Sequence, residues 1–263
     1  MQSVSEVAQT VRDAADRGRS ISIDELDLSG LDRILEHEAG DLTCTVEAGI
    51  RLSELQARLA EHGQMLALDP PGDPTIGACI AGDLAGPRSH RYGTMRDLVL
   101  GVTVVLGDGL VASSGGKVVK NVAGYDLGKL LCGSRGMLGV ICRASLRLHP
   151  RPQAAATLVA PALSAEDAHA KAQAILRSTL VPSALDAGPE RVALLFEGGT
   201  RAVDAQLEAA RALVGGTRAG DEVWDEVRAR PRPDDHDQPD EALLALVERI
   251  RAEFDPQGVF AHP

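Results

Sequence analysis

The residues best suited to chemistry lie in one glycine-rich stretch, residues 111–147. Its glycines leave positions without a Cβ, where the chain can turn left-handed or a ligand can come close to the backbone. Six of them are Gly115, Gly116, Gly124, Gly133, Gly136 and Gly139, interleaved with Lys120, Asn121, Tyr125 and Asp126. This pattern predicts a site where backbone amides meet a bound molecule. A plain series of turns is the alternative.

A second special stretch, residues 69–78, contains three prolines and two glycines. Proline fixes φ and has no amide donor, so this stretch excludes a helix before about Thr75. Asp83 follows, and its carboxylate would repel a bound anion. Arg88 and Arg91 offset that charge if they point inward; a solvated loop is the other interpretation.

Two common nucleotide motifs are excluded. Gly133, Gly136 and Gly139 have the spacing G-x-x-G-x-x-G and precede a strand, whereas the dinucleotide fingerprint G-x-G-x-x-G follows one. Gly116 is followed by lysine, but position 111 is not glycine and position 118 is valine, so this is not a Walker loop. A Rossmann domain and a P-loop are therefore not expected.

The segments GGKVVKNVAGYDLGKL (residues 115–130) and GSRGMLGVI (residues 133–141) resemble a known flavin-binding family. That family is the vanillyl-alcohol oxidase / p-cresol methylhydroxylase (PCMH-type) superfamily. Within it, the resemblance is to the FAD-binding subunits of glycolate oxidase. It extends from about Leu28 to Pro152, and the closing FDPQG at residues 254–258 also matches.

The resemblance implies an α+β fold, with a PCMH-type FAD-binding domain of two α/β subdomains followed by a truncated α+β cap domain. The expected parts are an FAD-binding domain at residues 1–152, a shortened cap at 153–226, and a linker with a returning C-terminal helix at 227–263. It also implies FAD bound at the matching positions. These are Pro71, Thr75, Ile76, Gly77, Ala78, Gly86, Tyr92, Gly93, Asn121, Gly124, Gly139, Val140 and Ile141.

The chain departs from the family pattern in two places. After the first strand, the family has a glycine-rich loop whose amides hold the FAD pyrophosphate, as clustered N–H groups hold anions generally. That loop often carries the histidine that attaches flavin covalently. Here Ile23 leads almost directly to residues 26–34, so FAD is expected to bind non-covalently and weakly. After Trp224, much of the family's cap domain is replaced by a polar, proline-rich linker.

Hydrophobic patterns predict the remaining elements. Residues 3–17 read as an amphipathic helix rather than a signal peptide, and residues 20–23 as a short strand entering a turn. Strands are expected at residues 42–47, 65–68, 98–106, 139–147, 155–160 and 191–196, and helices at 52–59, 126–132, 164–178, 200–214 and 243–254, with a further strand near 183–186.

Composition limits the function classes. A net charge of −11 argues against nucleic acid or an anionic membrane as the main partner. Cys44, Cys79, Cys132 and Cys142 form no metal or redox motif and are expected to be buried free thiols, which suits a reducing cytoplasm. No apolar run approaches the length of a membrane span. Residues 234–237 (DDHD) are a solvated linker rather than a metal cluster, so no metal is expected.

The resemblance implies a cytoplasmic oxidoreductase subunit that oxidises a 2-hydroxy acid such as glycolate by hydride transfer to flavin. It would work beside a second flavoprotein subunit and an iron–sulfur subunit. No catalytic base is nominated, because His90 and His149, the nearest histidines, are expected to be structural. The alternative from another class is a non-catalytic scaffold or regulatory subunit that has lost tight FAD binding.

Overall fold

The computed structural model describes residues 3–116, 127–230 and 241–261. Helices and antiparallel strands occur together within these ranges, which confirms the α+β class. The helices are α1 Val4–Asp16, α2 Leu52–Ala60, α3 Ile76–Ala81, α4 Ser89–Tyr92, α5 Met95–Leu98, α6 Leu127–Leu131, α7 Ala165–Leu176, α8 Thr200–Val214, α9 Glu222–Ala229 and α10 Glu241–Phe254. The strands are β1 Ile34–Glu38, β2 Thr43–Glu47, β3 Gln64–Met65, β4 Val99–Val105, β5 Val111–Gly115, β6 Val140–Arg147, β7 His149–Pro150, β8 Ala154–Pro161, β9 Ala184–Ala187, β10 Arg191–Gly198 and β11 Thr217–Ala219.

Side-chain caps fix the starts of several helices. The Ser3 hydroxyl accepts a hydrogen bond from the Glu6 amide at 3.2 Å and begins α1. Ser164 does the same for α7. Thr75 begins α3, directly after the proline-rich stretch. Each cap satisfies an amide that has no partner inside its helix.

The first layer is a five-stranded sheet in the order β1-β2-β6-β4-β5. Alternation along β6 directs Ala144 and Leu146 into a core shared with α2, α3 and α5. Val140 and Cys142 point to the opposite face, into a smaller core closed by α1. The sheet is therefore covered on both faces near the start of β6.

The second layer is a four-stranded sheet in the order β11-β8-β10-β9. Helices α7 and α8 pack on one face of it. On the other face, Val223 and Trp224 of α9 pack against the sheet, and the buried Trp224 indole donates to Thr157 Oγ1 at 2.9 Å. A buried indole needs such a partner, so this bond fixes α9.

The C-terminal segment returns to the first layer. Ile250 and Phe254 of α10 pack on its larger core. The buried Asp255 carboxylate accepts hydrogen bonds from the amides of Val259 and Phe260, at 2.8 and 2.9 Å. These bonds hold the tail beside Ile21, which pairs with Phe260.

Two expectations about local structure were wrong, and one strand was missed. The strand expected at residues 65–68 is limited to β3, Gln64–Met65. Residues 20–23 form one isolated bridge, Ile21 with Phe260, and then a 3-10 turn at Ile23–Glu25. The partner of Ile21 is the C-terminal tail rather than a strand of a sheet. The bridge is limited to this one residue because the 3-10 turn begins at Ile23. Strand β1 was not predicted; it forms because it pairs with β2, with a bulge near Ile34.

The expected division into three parts at residues 152 and 226 stays a prediction. The first boundary falls between β7, which pairs with β3, and β8 of the second layer. None of the helices within the described ranges is long and apolar enough to cross a bilayer.

Candidate functional site

A cavity of about 680 Å³ lies between α3, the start of β6 and the turn around Ile23. Its lining combines small residues, apolar side chains and two arginines. The lining residues are Ser22, Ile23, Leu26, Leu28, Arg51, Thr75, Gly77, Ala78, Ala81, Gly82, Arg135, Gly136, Gly139, Val140, Ile141 and Ala261.

Two separate parts of the expected site meet in this cavity. The α3 side supplies Thr75, Gly77 and Ala78, and the other side supplies residues 139–141. Ile76 lies between the first three but is fully buried in the larger core, so it supports the wall without lining it. That these residues contact a cofactor stays a proposal.

Backbone hydrogen bonds tie the two walls together. The Gly133 amide donates to the Ile80 carbonyl at 3.0 Å, and the Arg135 amide donates to the Ala81 carbonyl at 2.8 Å. The last carbonyls of α3 have no partner within the helix, so these bonds satisfy them. The glycine-rich turn is thereby fixed against α3, and the cavity is formed by the chain itself.

The amides at the start of α3 are already engaged. Ile76 N donates to Ile50 O at 3.0 Å, and Gly77 N donates to Ala48 O at 2.7 Å. Ala78 N donates to Thr75 Oγ1 at 3.2 Å. The resemblance implies that this loop offers amides to flavin, whereas here a ligand would have to compete with these acceptors.

The glycines of the opposite wall are required by the protein's own packing. A Cβ at Gly136, where φ is +82°, would overlap the Ile23 side chain. A Cβ at Gly139, where φ is +147°, would lie 2.6 Å from Val104 Cγ2. Ile23 therefore packs on the glycine turn from the segment between α1 and β1. No local pattern in the sequence indicates this contact, because it depends on the fold.

The cavity's chemistry fits FAD. Ile23, Leu26 and Leu28 give an apolar wall suited to a planar ring. Arg51 and Arg135 provide guanidinium groups, which suit phosphate. Arg51 is held at the cavity edge because its Nη1 donates to the Asp73 carbonyl at 2.7 Å. Arg51 and Arg135 are the charged side chains in this lining, so they are the groups best suited to meet a diphosphate. Neither arginine was singled out from the sequence.

The remaining expected residues lie elsewhere. Pro71 and Gly86 line a separate cavity of about 530 Å³ beside α9. The Tyr92 ring packs edge-on against His149, with 4.9 Å between ring centroids. At Gly93, where φ is +85°, a Cβ would meet the Asp97 side chain. Asn121 and Gly124 lie outside the described residues.

The charged residues of the loop after α3 do not line the cavity. The Asp83 carboxylate accepts from the Arg96 amide at 3.1 Å. Arg88 donates to Glu197, and Arg91 donates to the Glu197 carbonyl and to Ser183. The two arginines are therefore neither free in solvent nor directed at the cavity. Both bind the second sheet, because β10 places Glu197 beside them.

The histidines and cysteines have structural surroundings. Burial lowers the pKa of His149, aided by the charges of Arg147 and Arg91, and its Nδ1 is buried with no hydrogen-bond partner in the described chain. Burial alone lowers the pKa of His90. The expected buried thiols are confirmed for Cys44, Cys79 and Cys142, each with its pKa raised to about 12 by burial. Cys132 is only partly buried.

No group of three metal-ligating side chains occurs among the residues that the structure describes. The acidic run at residues 234–237 lies outside them, so its interpretation stays a prediction.

Comparison with known proteins identifies the domain. An FAD binding domain model matches residues 25–115. Glycolate oxidase subunit GlcE of Escherichia coli (strain K12) is 34% identical over 219 residues, covering 82% of this chain and 61% of that protein. Glycolate oxidase subunit GlcD of Bacillus subtilis (strain 168) is 33% identical over 169 residues, covering 64% of this chain and 36% of that protein.

A mitochondrial D-lactate dehydrogenase [cytochrome] 1 of Saccharomyces cerevisiae is 33% identical over 156 residues, covering 59% of this chain and 27% of that protein. The chain thus spans less than two thirds of the length of each of these relatives. Among solved structures, alkyldihydroxyacetonephosphate synthase has a TM-score of 0.71 at 20% identity, covering 87% of this chain and 53% of that one. At that identity the likeness concerns the fold alone. Residues 25–115 therefore form an FAD binding domain of the PCMH type, and the chain resembles glycolate oxidase subunits and D-lactate dehydrogenases.

Proposed function

We propose that this chain is the FAD-binding subunit of a 2-hydroxy acid oxidoreductase that resembles glycolate oxidase. The observation that carries the proposal is the cavity at the start of β6, where α3 meets the glycine turn. Helix α3 lies within residues 25–115, which match an FAD binding domain model. Relatives named as glycolate oxidase subunits and D-lactate dehydrogenases support the reaction class.

Each side of the cavity has a distinct task in this proposal. FAD, when bound, supplies the acceptor for a hydride from the substrate. Arg51 and Arg135 bind its diphosphate. The wall formed by Ile23, Leu26 and Leu28 excludes water from the apolar part of the cofactor. We assign no catalytic base.

We propose non-covalent and weak binding of FAD. The engaged amides of α3 and the short turn at Ile23 leave fewer donors for the diphosphate than a dedicated loop would. Each charge-assisted hydrogen bond contributes about 1.5–3 kcal/mol, so losing several lowers affinity by orders of magnitude.

The direct test is the visible absorption spectrum of the purified chain, followed by titration with FAD. We expect a flavin band that is released on denaturation, and a dissociation constant in the micromolar range or weaker. A flavin that stays attached after denaturation would contradict non-covalent binding. A submicromolar dissociation constant for FAD would contradict weak binding.

Arginine variants locate the site within that titration. Arg51→Gln and Arg135→Gln should each weaken FAD about tenfold or more, because each removes a charged donor. Arg201→Gln is the matched control, since Arg201 is exposed on α8 in the second layer. Equal affinity in all three variants would place FAD elsewhere.

A second function has one observation in its favour. The cavity amides and glycines are satisfied by the protein itself, so the fold does not need FAD in order to complete its hydrogen bonds. The chain would then be a non-catalytic scaffold or regulatory subunit. A colourless protein that also ignores added FAD would select this function.

We further propose that the chain assembles with a second flavoprotein subunit and an iron–sulfur subunit in the cytoplasm. The names of the GlcE and GlcD relatives support a multi-subunit complex. Co-purification of the natively expressed protein, with flavin and iron measured per chain, tests this assembly.

A further inference from the structure

Asp69 and Arg88 contact each other and so join the two ends of the segment that carries the α3 wall of the cavity. Asp69 is the first residue of the proline-rich stretch, and Arg88 follows the turn after α3. The Arg88 amide donates to Asp69 Oδ1 at 3.1 Å, and its guanidinium lies 3.9 Å from Asp69 Oδ2. The intervening residues 70–87 contain α3 and with it Thr75, Gly77 and Gly82 of the cavity.

The closure is tight. A Cβ at Gly86 would overlap the Asp69 backbone carbonyl, so only glycine fits at that position. Arg228 of α9 also lies 3.8 Å from Asp69 Oδ2. Burial raises the pKa of Asp69, although both arginines oppose that rise.

The second sheet holds this closure through Glu197 of β10. Arg88 Nε donates to Glu197 Oε1 and Oε2 at 3.1 and 3.3 Å, and Nη2 donates to Oε1 at 2.7 Å. Only 1% of the Glu197 side chain is exposed, against 28% of Arg88. Burial alone would lower the pKa of Arg88, but the hydrogen bonds and charge of Glu197 outweigh it and raise that pKa.

A buried two-point ion pair of this kind resists separation. Removing one partner leaves an uncompensated buried charge, which is far more costly than losing a surface pair. The fork of Arg88 also fixes direction, which a lysine would not. Arg91 adds a parallel contact, because its Nη1 donates to the Glu197 carbonyl at 3.1 Å.

We infer that Asp69, Arg88 and Glu197 form a clasp through which the second sheet sets the position of the α3 wall of the cavity. These are positioning residues, since none of them lines the cavity around Gly139. The effect of the clasp on FAD binding rests on the proposed function. Its effect on the position of the α3 wall does not. A ligand whose affinity for the cavity is raised by the clasp strengthens the attachment of the second sheet by the same factor, because coupling is reciprocal.

Hydrogen exchange of Glu197→Gln, with and without FAD, tests the clasp. We expect amides in residues 70–87 to exchange on the order of tenfold faster, while β4 and β6 stay as protected as in the parent protein. The matched control is Glu226→Gln, which breaks an ion pair with Arg191 at 2.6 Å within the second layer. Its exchange in residues 70–87 should be unchanged.

A second variant covers the case in which Glu197→Gln does not fold. Arg88→Lys keeps the charge and loses the fork, so it should show the same local exchange and a weaker FAD titration. Unchanged exchange in residues 70–87 in the variants that fold would overturn the clasp. Faster local exchange in a protein that never binds FAD would support the clasp and refute the proposed flavin function.

Discussion

The two sheets of this protein differ in regularity. Strands β8 and β10 pair without interruption from Ala154 with Gly198 to Pro161 with Arg191. Strands β4 and β6 shift register twice, between Val99 and Gly101 and between Thr103 and Val104. The cavity lies at the irregular sheet, and the regular sheet supplies the buried Glu197 that holds one of its walls.

This difference separates two tasks. Bulges and left-handed glycines open space beside a sheet and aim the backbone, at a cost in pairing. Unbroken pairing and close packing give a rigid support instead. Breaking the support should therefore reduce global stability, and changes at the irregular sheet should also reach the cavity.

The largest effect should come from the support itself. Phe196→Ala removes a fully buried ring from the core of the second sheet and should lower the free energy of unfolding by about 3–5 kcal/mol. Urea unfolding, followed by the fluorescence of the single tryptophan Trp224, measures it. Leu163→Ala, at a side chain that is 96% exposed, should change stability by no more than about 0.5 kcal/mol. Equal losses in both variants would contradict the packing.

A smaller effect is expected where the C-terminal tail meets the first layer. Asp255→Ala leaves the buried amides of Val259 and Phe260 without their acceptor, and we expect a loss of about 1–3 kcal/mol in the free energy of unfolding. Ala261 lines the cavity, so FAD affinity should fall together with stability. Thermal unfolding measures the stability, and FAD titration measures the affinity. Asp255→Asn retains one acceptor and should lie between the alanine variant and the parent; a tail that stays protected from proteolysis in Asp255→Ala would argue against this role.

The smallest effect concerns pH. Arg33 donates Nε and Nη2 to Glu47, and its amide also donates there, so the pKa of this carboxyl lies below its ordinary value of 4.5. A lowered folded pKa gives stability that is present above pH 4.5 and is lost as pH falls through the folded pKa. The free energy of unfolding, measured from pH 4.5 downward, should show that loss. In Glu47→Gln the free energy of unfolding should depend less on pH.

The second layer offers a comparison for that pH effect. Lys171 and the Leu163 amide lower the pKa of Asp167 on the surface of α7. Solvent screens this pair, so Asp167→Asn should flatten the pH profile less than Glu47→Gln does. A larger flattening of the pH profile in Asp167→Asn than in Glu47→Gln would contradict this expectation.

Local patterns predicted much of the fold. The expected helix at residues 200–214 matches α8, and the strand at 98–106 matches β4 to within a residue at each end. The proline-rich stretch correctly excluded a helix before about Thr75, since α3 begins at Ile76. Strand β1 was missed because its pairing depends on β2, and residues 20–23 were misread because their partner is the C-terminal tail.

The site was predictable only in part. Gly77 and Gly139 were found through motifs, but Ile23, Arg51 and Arg135 carry no local signal that they share a cavity. The role of Arg88 could not be predicted either, because its partner Glu197 lies far away in sequence, on the second sheet.

The sequence by itself determined the class of fold, because periodicity and glycines are local properties of the chain, and its motifs carried the resemblance that implied FAD binding. Only the tertiary structure decided which amides remain available, what packs on Gly136, and that the second sheet holds the wall of the cavity. The physical reason is that hydrogen-bond satisfaction and close packing depend on residues distant in sequence.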